Sequence, residues 1–212
     1  FDDISKLAAD SCEKPFAFVS FVDADTQWIT SQIGSFPEKL PREKAICELT
    51  LKQTDVFQVE DTHLDARTKH SEFVLNPPHI RFYAGAPLVN PEGQLLGSLC
   101  VLDTKPSELS VYQKSILRLL AKDVVSQLEL RRKNHELARL TNLYQMITEN
   151  NPDLIFAKDR EFKILHANKA FLSVYPEDMR DKVIGYTTLE KYSEEDANAF
   201  LLQDRIAFEK GI

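Results

Sequence analysis

The fold is decided by Phe82-Tyr83-Ala84-Gly85-Ala86-Pro87-Leu88-Val89, then Asn90-Pro91-Glu92-Gly93, then Gln94-Leu95-Leu96-Gly97-Ser98-Leu99-Cys100-Val101-Leu102-Asp103. Both flanks are apolar runs of strand length bounded by turn residues, so each reads as a buried strand. Between them stand the residues of a tight turn, where proline sets φ and glycine supplies a positive φ. The spacing predicts a hairpin. Pro87 has no amide to donate, which places it at a sheet edge or a bulge.

Upstream, Phe16-Ala17-Phe18-Val19-Ser20-Phe21-Val22-Asp23 is aromatic and β-branched and reads as another buried strand. Asp23-Ala24-Asp25-Thr26 is a turn, and Gln27-Trp28-Ile29-Thr30-Ser31-Gln32 pairs back as its partner. Residues 2–13 place Ile4, Leu7, Ala8 and Cys12 at helical spacing, with Asp2 or Asp3 available as a cap. Residues 34–80 are less regular. They hold a short helix at 42–52, a short strand at 55–59, and a polar loop with Asp61, His63, Asp65, His70 and Pro77-Pro78.

Downstream, residues 110–147 are helical in pattern throughout. Leu117, Leu120, Ala121, Val124, Val125 and Leu128 form one stripe, expected to pack on the sheet. A second stripe lies on a different face: Leu130, Leu137 and Tyr144 are spaced by seven, as are Lys133, Leu140 and Ile147. That is a short heptad seam with one polar interruption, and the domain core has no use for it. A second copy of the chain, pairing through residues 110–147, is the simplest cover. Asn151-Pro152 ends the helix. Two more strands, 153–158 and 162–167, flank the turn Asp159-Arg160-Glu161, and Asn168 opens a helical run at 169–175. The expected class is α+β: an antiparallel sheet with flanking helices, a long connecting helix, and an incomplete second α+β unit. The divisions fall at 1–132, 133–147 and 148–212.

A net charge of -7 argues against nucleic acid, whose phosphates demand a basic face. The cluster Arg131-Arg132-Lys133 reads as a solvated helix face. No apolar run approaches the roughly 20 residues of a membrane span, so no membrane contact is expected. The 3 cysteines, Cys12, Cys47 and Cys100, form no metal-ligand or disulfide spacing, which suits a reducing, cytoplasmic setting. The opening Phe1-Asp2-Asp3-Ile4 lacks both an initiator methionine and a leader, as expected of an excised piece.

The segments Gln27-Trp28-Ile29-Thr30-Ser31, Arg42-Glu43, Ala45-Ile46-Cys47, Pro78-His79-Ile80-Arg81-Phe82-Tyr83-Ala84-Gly85-Ala86-Pro87-Leu88, Pro91-Glu92-Gly93 and residues 96–103 together resemble a GAF domain over residues 1–132. Asn151-Pro152-Asp153-Leu154-Ile155, Ala167-Asn168-Lys169-Ala170-Phe171, Val183-Ile184-Gly185 and an acidic helix at 193–197 resemble the first half of a PAS domain over 148–212. These resemblances imply a cytoplasmic sensory module upstream of a histidine kinase or a diguanylate cyclase, with neither output in this sequence. One departure stands out. The related pattern carries histidine two residues after Cys47, where this chain has Leu49.

Among chemistry-bearing groups, Gly93 and Gly97 lie in a hairpin with no lysine following, so no phosphate cradle is present. The Asp61, His63, Asp65, His70 loop holds metal-ligand types, yet Asx turns explain its aspartates equally well. No metal, cofactor or catalytic residue is assigned. Arg81 and Tyr83 are the leading pocket residues; a buried guanidinium at 81 requires an anion, either an internal carboxylate such as Asp61 or a ligand. Trp28, Phe36, Phe57 and Phe73 are placed to line an apolar cavity or simply the core. Cys47 and Cys100 both face the pocket, and sulfoxide reductases are built on the GAF fold. Core packing is the plainer account of these thiols, because Arg42 sits at an awkward helical angle to activate Cys47. Asn168 is expected to brace its own turn. Three functions remain in view: a non-catalytic sensor of a small molecule or partner, a ligand-free interaction platform, and a reductase using Cys47 and Cys100.

Overall fold

The computed structural model describes residues 1–187 and, beyond them, Glu195, Asn198, Ala199, Leu202, Gln203, Arg205, Ile206 and Glu209. Apart from Glu195, the acidic helix expected at 193–197 lies outside the described residues. Contacts divide the chain into two units, Phe1–Lys133 and Asn134–Ile212, each described by itself below.

The first unit is organised by an antiparallel sheet of six strands. In chain order these are β1 (Phe16–Val22), β2 (Thr26–Ile33), β3 (Lys39–Pro41), β4 (Phe57–Val59), β5 (Phe82–Val89) and β6 (Leu95–Asp103). Their spatial order is β3-β2-β1-β6-β5-β4. The hairpin read from sequence forms as expected, with Tyr83 opposite Leu102 and Gly85 opposite Cys100. Its turn closes through Gly93, at φ 81°, whose amide donates to the Asn90 carbonyl. Pro87 stands where β4 has ended, since the last β5 residue facing β4 is Gly85, so its missing amide orphans no ladder partner.

Alternation along these strands makes two different faces. One carries Ala17 and Val19 of β1, Phe82, Ala84, Ala86 and Leu88 of β5, and Leu99 and Val101 of β6. It is covered by α1 (Asp2–Cys12) and by the start of the long helix introduced below. No aspartate caps α1; Phe1 occupies that position without a side-chain bond, so the cap expected from Asp2 or Asp3 does not form. The other face carries Phe18, Tyr83, Cys100 and Leu102 and is covered by the irregular chain between β3 and β5. Strand β2 serves both. Val19 pairs with Ser31 and Ser20 with Ile29, leaving Thr30 as an extra residue. This bulge reverses the alternation. Ser31 therefore reaches Ser5 of α1 at 2.7 Å, while Gln27 reaches the opposite face.

The covering chain departs from the helix expected at 42–52. It forms two 3-10 turns, Arg42–Lys44 and Ile46–Lys52, separated by Ala45 in extended conformation. Their packing decides this: Ile46, Cys47, Thr50 and Leu51 are all buried, and Arg42 is drawn away to Glu48 and the Asp23 carbonyl. Between β4 and β5 lies one helical turn, α2 (Glu72–Leu75), which presents Phe73 and Val74 to the core.

Helix α3 (Val111–Glu149) runs unbroken for 39 residues. Leu117, Ala121, Val124 and Val125 are buried in the first unit's core, with Leu120 and Leu128 packed against it. Fully buried side chains such as Leu117 contribute about 1.5–3 kcal/mol each. Further along, Leu130, Leu137, Leu140, Tyr144 and Ile147 are each at least half exposed.

In the second unit, β7 (Phe156–Lys158) and β8 (Ile164–Ala167) pair antiparallel, followed by α4 (Lys169–Leu172) and α5 (Glu177–Arg180). Asn168 caps α4. Its buried Oδ1 accepts from the Phe171 and Ile155 amides, and its Nδ2 donates to the Thr148, Asn151 and Asp153 carbonyls. All its hydrogen-bonding capacity goes into this junction.

Candidate functional site

Beneath the 3-10 segment Ile46–Lys52, on the loop-covered face of the sheet, lies a sealed cluster of polar side chains. Cys47 Sγ and Cys100 Sγ are 3.5 Å apart. Gln27 Nε2 donates to Cys47 Sγ at 3.3 Å. Tyr83 Oη lies 2.6 Å from Thr50 Oγ1 and 3.2 Å from Cys100 Sγ. Ser98 Oγ stands 3.1 Å from Cys100 Sγ and 3.2 Å from Ser20 Oγ. Every one of these residues is at most 1% exposed.

Local sequence explains each position. Tyr83, Ser98, Cys100 and Ser20 project from β5, β6 and β1 by simple alternation, and Gln27 joins them because of the bulge at Thr30. Gly85 makes the arrangement possible. A Cβ there would come within 2.5 Å of both Thr50 Oγ1 and Tyr83 Oη, so only glycine leaves room for their contact. The apolar wall is aromatic. Phe73 packs edge-on against Phe36 at 5.4 Å, and Phe36 in turn meets Phe16 and Phe18.

The two thiols differ electrostatically. Burial raises Cys47, but hydrogen bonds from Cys100, Tyr83, Ser98 and Gln27 outweigh it and bring the thiol down to about 7. Cys100 is pushed well above the usual thiol range, first by burial and then by its neighbour Cys47. Tyr83 is likewise raised by burial and by the two sulfurs. Cys12 is on the other face of the sheet, where burial lifts it to about 11. One atom of the cluster is left over: Gln27 Oε1 is buried without a hydrogen-bond partner. Such an orphan acceptor is costly and invites a donor.

Of the residues singled out from sequence, Cys47, Tyr83 and Phe73 come together here, joined by Cys100. Arg81 and Asp61 do not enter the cluster. They pair with each other just before β5, Arg81 Nε donating to Asp61 Oδ1 at 2.9 Å and Nη2 to Oδ2 at 2.5 Å. The guanidinium beside Asp61 holds that carboxyl below the usual range. Arg81 thus has an internal anion. Trp28 is a correction: it is 45% exposed, on the face of β2 opposite Gln27, with Nε1 donating to Asp23 Oδ2 at 3.0 Å. It lines no pocket. In the polar loop, Asp61 and Asp65 are engaged by Arg81 and Arg67, and among the described residues no cluster of three metal-ligand side chains forms. Sequence reasoning missed Gln27, Thr50, Ser20 and Ser98. For Ser20 and Ser98 the available signal was a polar residue at a position that strand parity buries, whereas Thr50 is on a 3-10 turn and Gln27 is set by the bulge.

A family model for the GAF domain matches residues 3–129. The chain belongs to the GAF domain family. Over 148 residues this GAF-containing chain is 34% identical to a cyclic di-GMP phosphodiesterase of Pseudomonas aeruginosa; the match covers 69% of this chain and 25% of that protein. It therefore spans about a quarter of the relative's length. The blue-light-absorbing form of the Thermosynechococcus elongatus PixJ GAF domain superposes with a TM-score of 0.55 at 15% identity, covering 67% of this chain and 90% of that one. The free methionine-R-sulfoxide reductase of Neisseria meningitidis, solved with its substrate, gives 0.53 at 15% identity, covering 63% and 78%. At such identities the likeness is one of fold. Among the described residues no helix is long and apolar enough to cross a membrane.

Proposed function

We propose that this chain is the non-catalytic sensory part of a cytoplasmic signalling protein. A small molecule or partner acts at the covered face of the GAF sheet, and α3, paired with α3 of a second copy, carries the change to a PAS-like unit at 148–212 and on to an output domain. The observation that carries this reading is the seam on α3. Leu130, Leu137, Leu140, Tyr144 and Ile147 expose 61%, 61%, 55%, 50% and 58% of their surface, on a helix whose earlier apolar stripe packs on the first unit's core. Heptad spacing suits such a stripe to a parallel twin. The orphan Gln27 Oε1 supports a ligand role for the cluster. The relative's identity as a phosphodiesterase fits an output acting on cyclic di-GMP, either a diguanylate cyclase or its opposing hydrolase, and a histidine kinase is the other output in view.

A ligand works such a device only by binding one of two states better than the other; equal affinity shifts nothing. Rotation or register change of paired helices supplies the two states. Leu137→Asp with Leu140→Asp is expected to yield monomers by light scattering while the GAF unit melts as before; a persistent dimer overturns the pairing.

A second reading has its own support. The cluster is filled by Tyr83, Thr50, Gln27 and the two cysteines, as expected of a ligand-free interaction platform. A thermal-shift screen with nucleotides, amino acids and short acids separates the two: saturable stabilisation obeying one-site mass action supports sensing, and none supports the platform. The reductase reading draws on the Cys47–Cys100 proximity and is tested by sulfoxide turnover in Cys47→Ser and Cys100→Ser.

A further inference from the structure

Cys47 and Cys100 meet across the boundary between the covering 3-10 segment and the sheet. Cys100 is in β6, held on both sides by β1 and β5. Cys47 belongs to the seven-residue 3-10 segment Ile46–Lys52, flanked by extended Ala45 and Gln53 and secured by no side-chain cap. Their sulfurs stand at 3.5 Å with nothing between them. A disulfide needs about 2.0 Å, so bonding asks the covering segment to move by roughly 1.5 Å while the sheet stays put. The third cysteine is on the opposite face of the sheet and cannot compete.

We propose that Cys47 and Cys100 are an oxidisable dithiol that a small peroxide closes into an intrachain disulfide, tethering the cover of the GAF cluster to its floor. This goes beyond the sensing proposal, because it requires neither a ligand nor a second chain. The Cys47 thiolate attacks the peroxide O–O bond, forming an S–O bond and releasing hydroxide, which takes up a proton and leaves as water. The Cys100 sulfur then attacks Cys47 sulfur; the S–O bond breaks, the S–S bond forms, and the departing hydroxide leaves as water with the Cys100 proton. With hydrogen peroxide, two thiols lose two electrons in total and one peroxide becomes two waters.

Geometry assigns the two roles. Gln27 Nε2 donates to Cys47 Sγ, an orientation that favours the thiolate there. Cys47 belongs to the covering segment, whose neighbours Ala45, Ile46, Glu48 and Leu49 line a surface groove of about 440 Å³. Cys100 lies deeper, against Ser98 and Tyr83, as suits a resolving thiol.

The test uses the unmodified chain, treated with excess hydrogen peroxide, quenched, and titrated for thiols under denaturing conditions. The expected result is a fall from three titratable thiols to one, a mass loss of two hydrogens, a peptide cross-linked between 47 and 100, and full reversal by dithiothreitol. Three surviving thiols, a cross-link that includes Cys12 or joins two chains, or a stable oxygen adduct on Cys47 would each overturn the proposal. Cys12→Ser serves as the control and is expected to lose both remaining thiols. Because the decisive reading is made on the unmodified chain, a core substitution that fails to fold does not weaken it.

Discussion

Helix α3 contains two apolar stripes of similar make-up and opposite fate. Leu117, Ala121, Val124 and Val125 are at most 8% exposed, packed on a sheet whose facing residues are themselves apolar. Leu130, Leu137, Leu140, Tyr144 and Ile147 are 50–61% exposed. Intrinsic helix propensity does not separate the stretches, since both are rich in leucine, lysine, arginine and glutamate or glutamine. They differ in what is offered to bury them. The first stripe broadens to positions three, four, seven, eight and eleven along, the wide face a globular core requires. The second narrows to a seam repeating every seven residues, which fits another helix better than a sheet. A helix can thus record its intended partner in the width of its apolar stripe.

Leu117, in the first stripe, is wholly buried. Leu117→Asp buries an unpaired carboxylate and is expected to cost about 4 kcal/mol or more, enough to leave the GAF unit largely unfolded by circular dichroism. If Leu117→Asp is as harmless as an exposed change, the first stripe is not a core. A smaller effect sharpens the second stripe. Lys133 is its polar interruption, and Lys133→Leu, by completing the seam, should tighten self-association by about 1–3 kcal/mol, read as a lower dissociation constant in sedimentation. Unchanged association would place Lys133 outside the contact.

The smallest effect concerns the polar flank of the first stripe. Arg118 of α3 donates to both carboxylate oxygens of Asp55 at 2.8 Å, and the guanidinium holds that carboxyl below its ordinary value. A depressed carboxylate stabilises the fold above the unfolded value, near pH 4, and loses that contribution as pH falls through the folded value. Asp55→Asn should therefore cost under about 1 kcal/mol at neutral pH, because the pair is exposed, and make the acid limb of the stability curve slightly shallower. A steeper limb would reverse that sign.

Much of this was legible in sequence wherever one local rule sufficed. The β5–β6 hairpin was, because strand length, Pro91 and Gly93 agree without help from distant contacts. The long helix and both stripes were legible from period alone. The covering segment was not: Ile46, Cys47, Thr50 and Leu51 have the spacing of an α-helical face, and only packing against β5 and β6 winds them as 3-10 turns. Trp28 misled because an aromatic residue suggests a pocket, while strand parity sets it opposite Gln27. The bulge at Thr30 left no local mark, so the inward turn of Gln27 beside an outward Trp28 and an α1-facing Ser31 had to be seen rather than inferred. Cys47 and Cys100 were both expected to face one pocket, but their 3.5 Å approach depends on a covering loop whose path no periodicity encodes.

Sedimentation equilibrium of the unmodified chain over a wide concentration range is the most direct test of the proposed pairing of α3 with a second copy. The expected result is a reversible dimer whose dissociation is driven by Leu137→Asp with Leu140→Asp. A single species of 24.3 kDa at every concentration would contradict it.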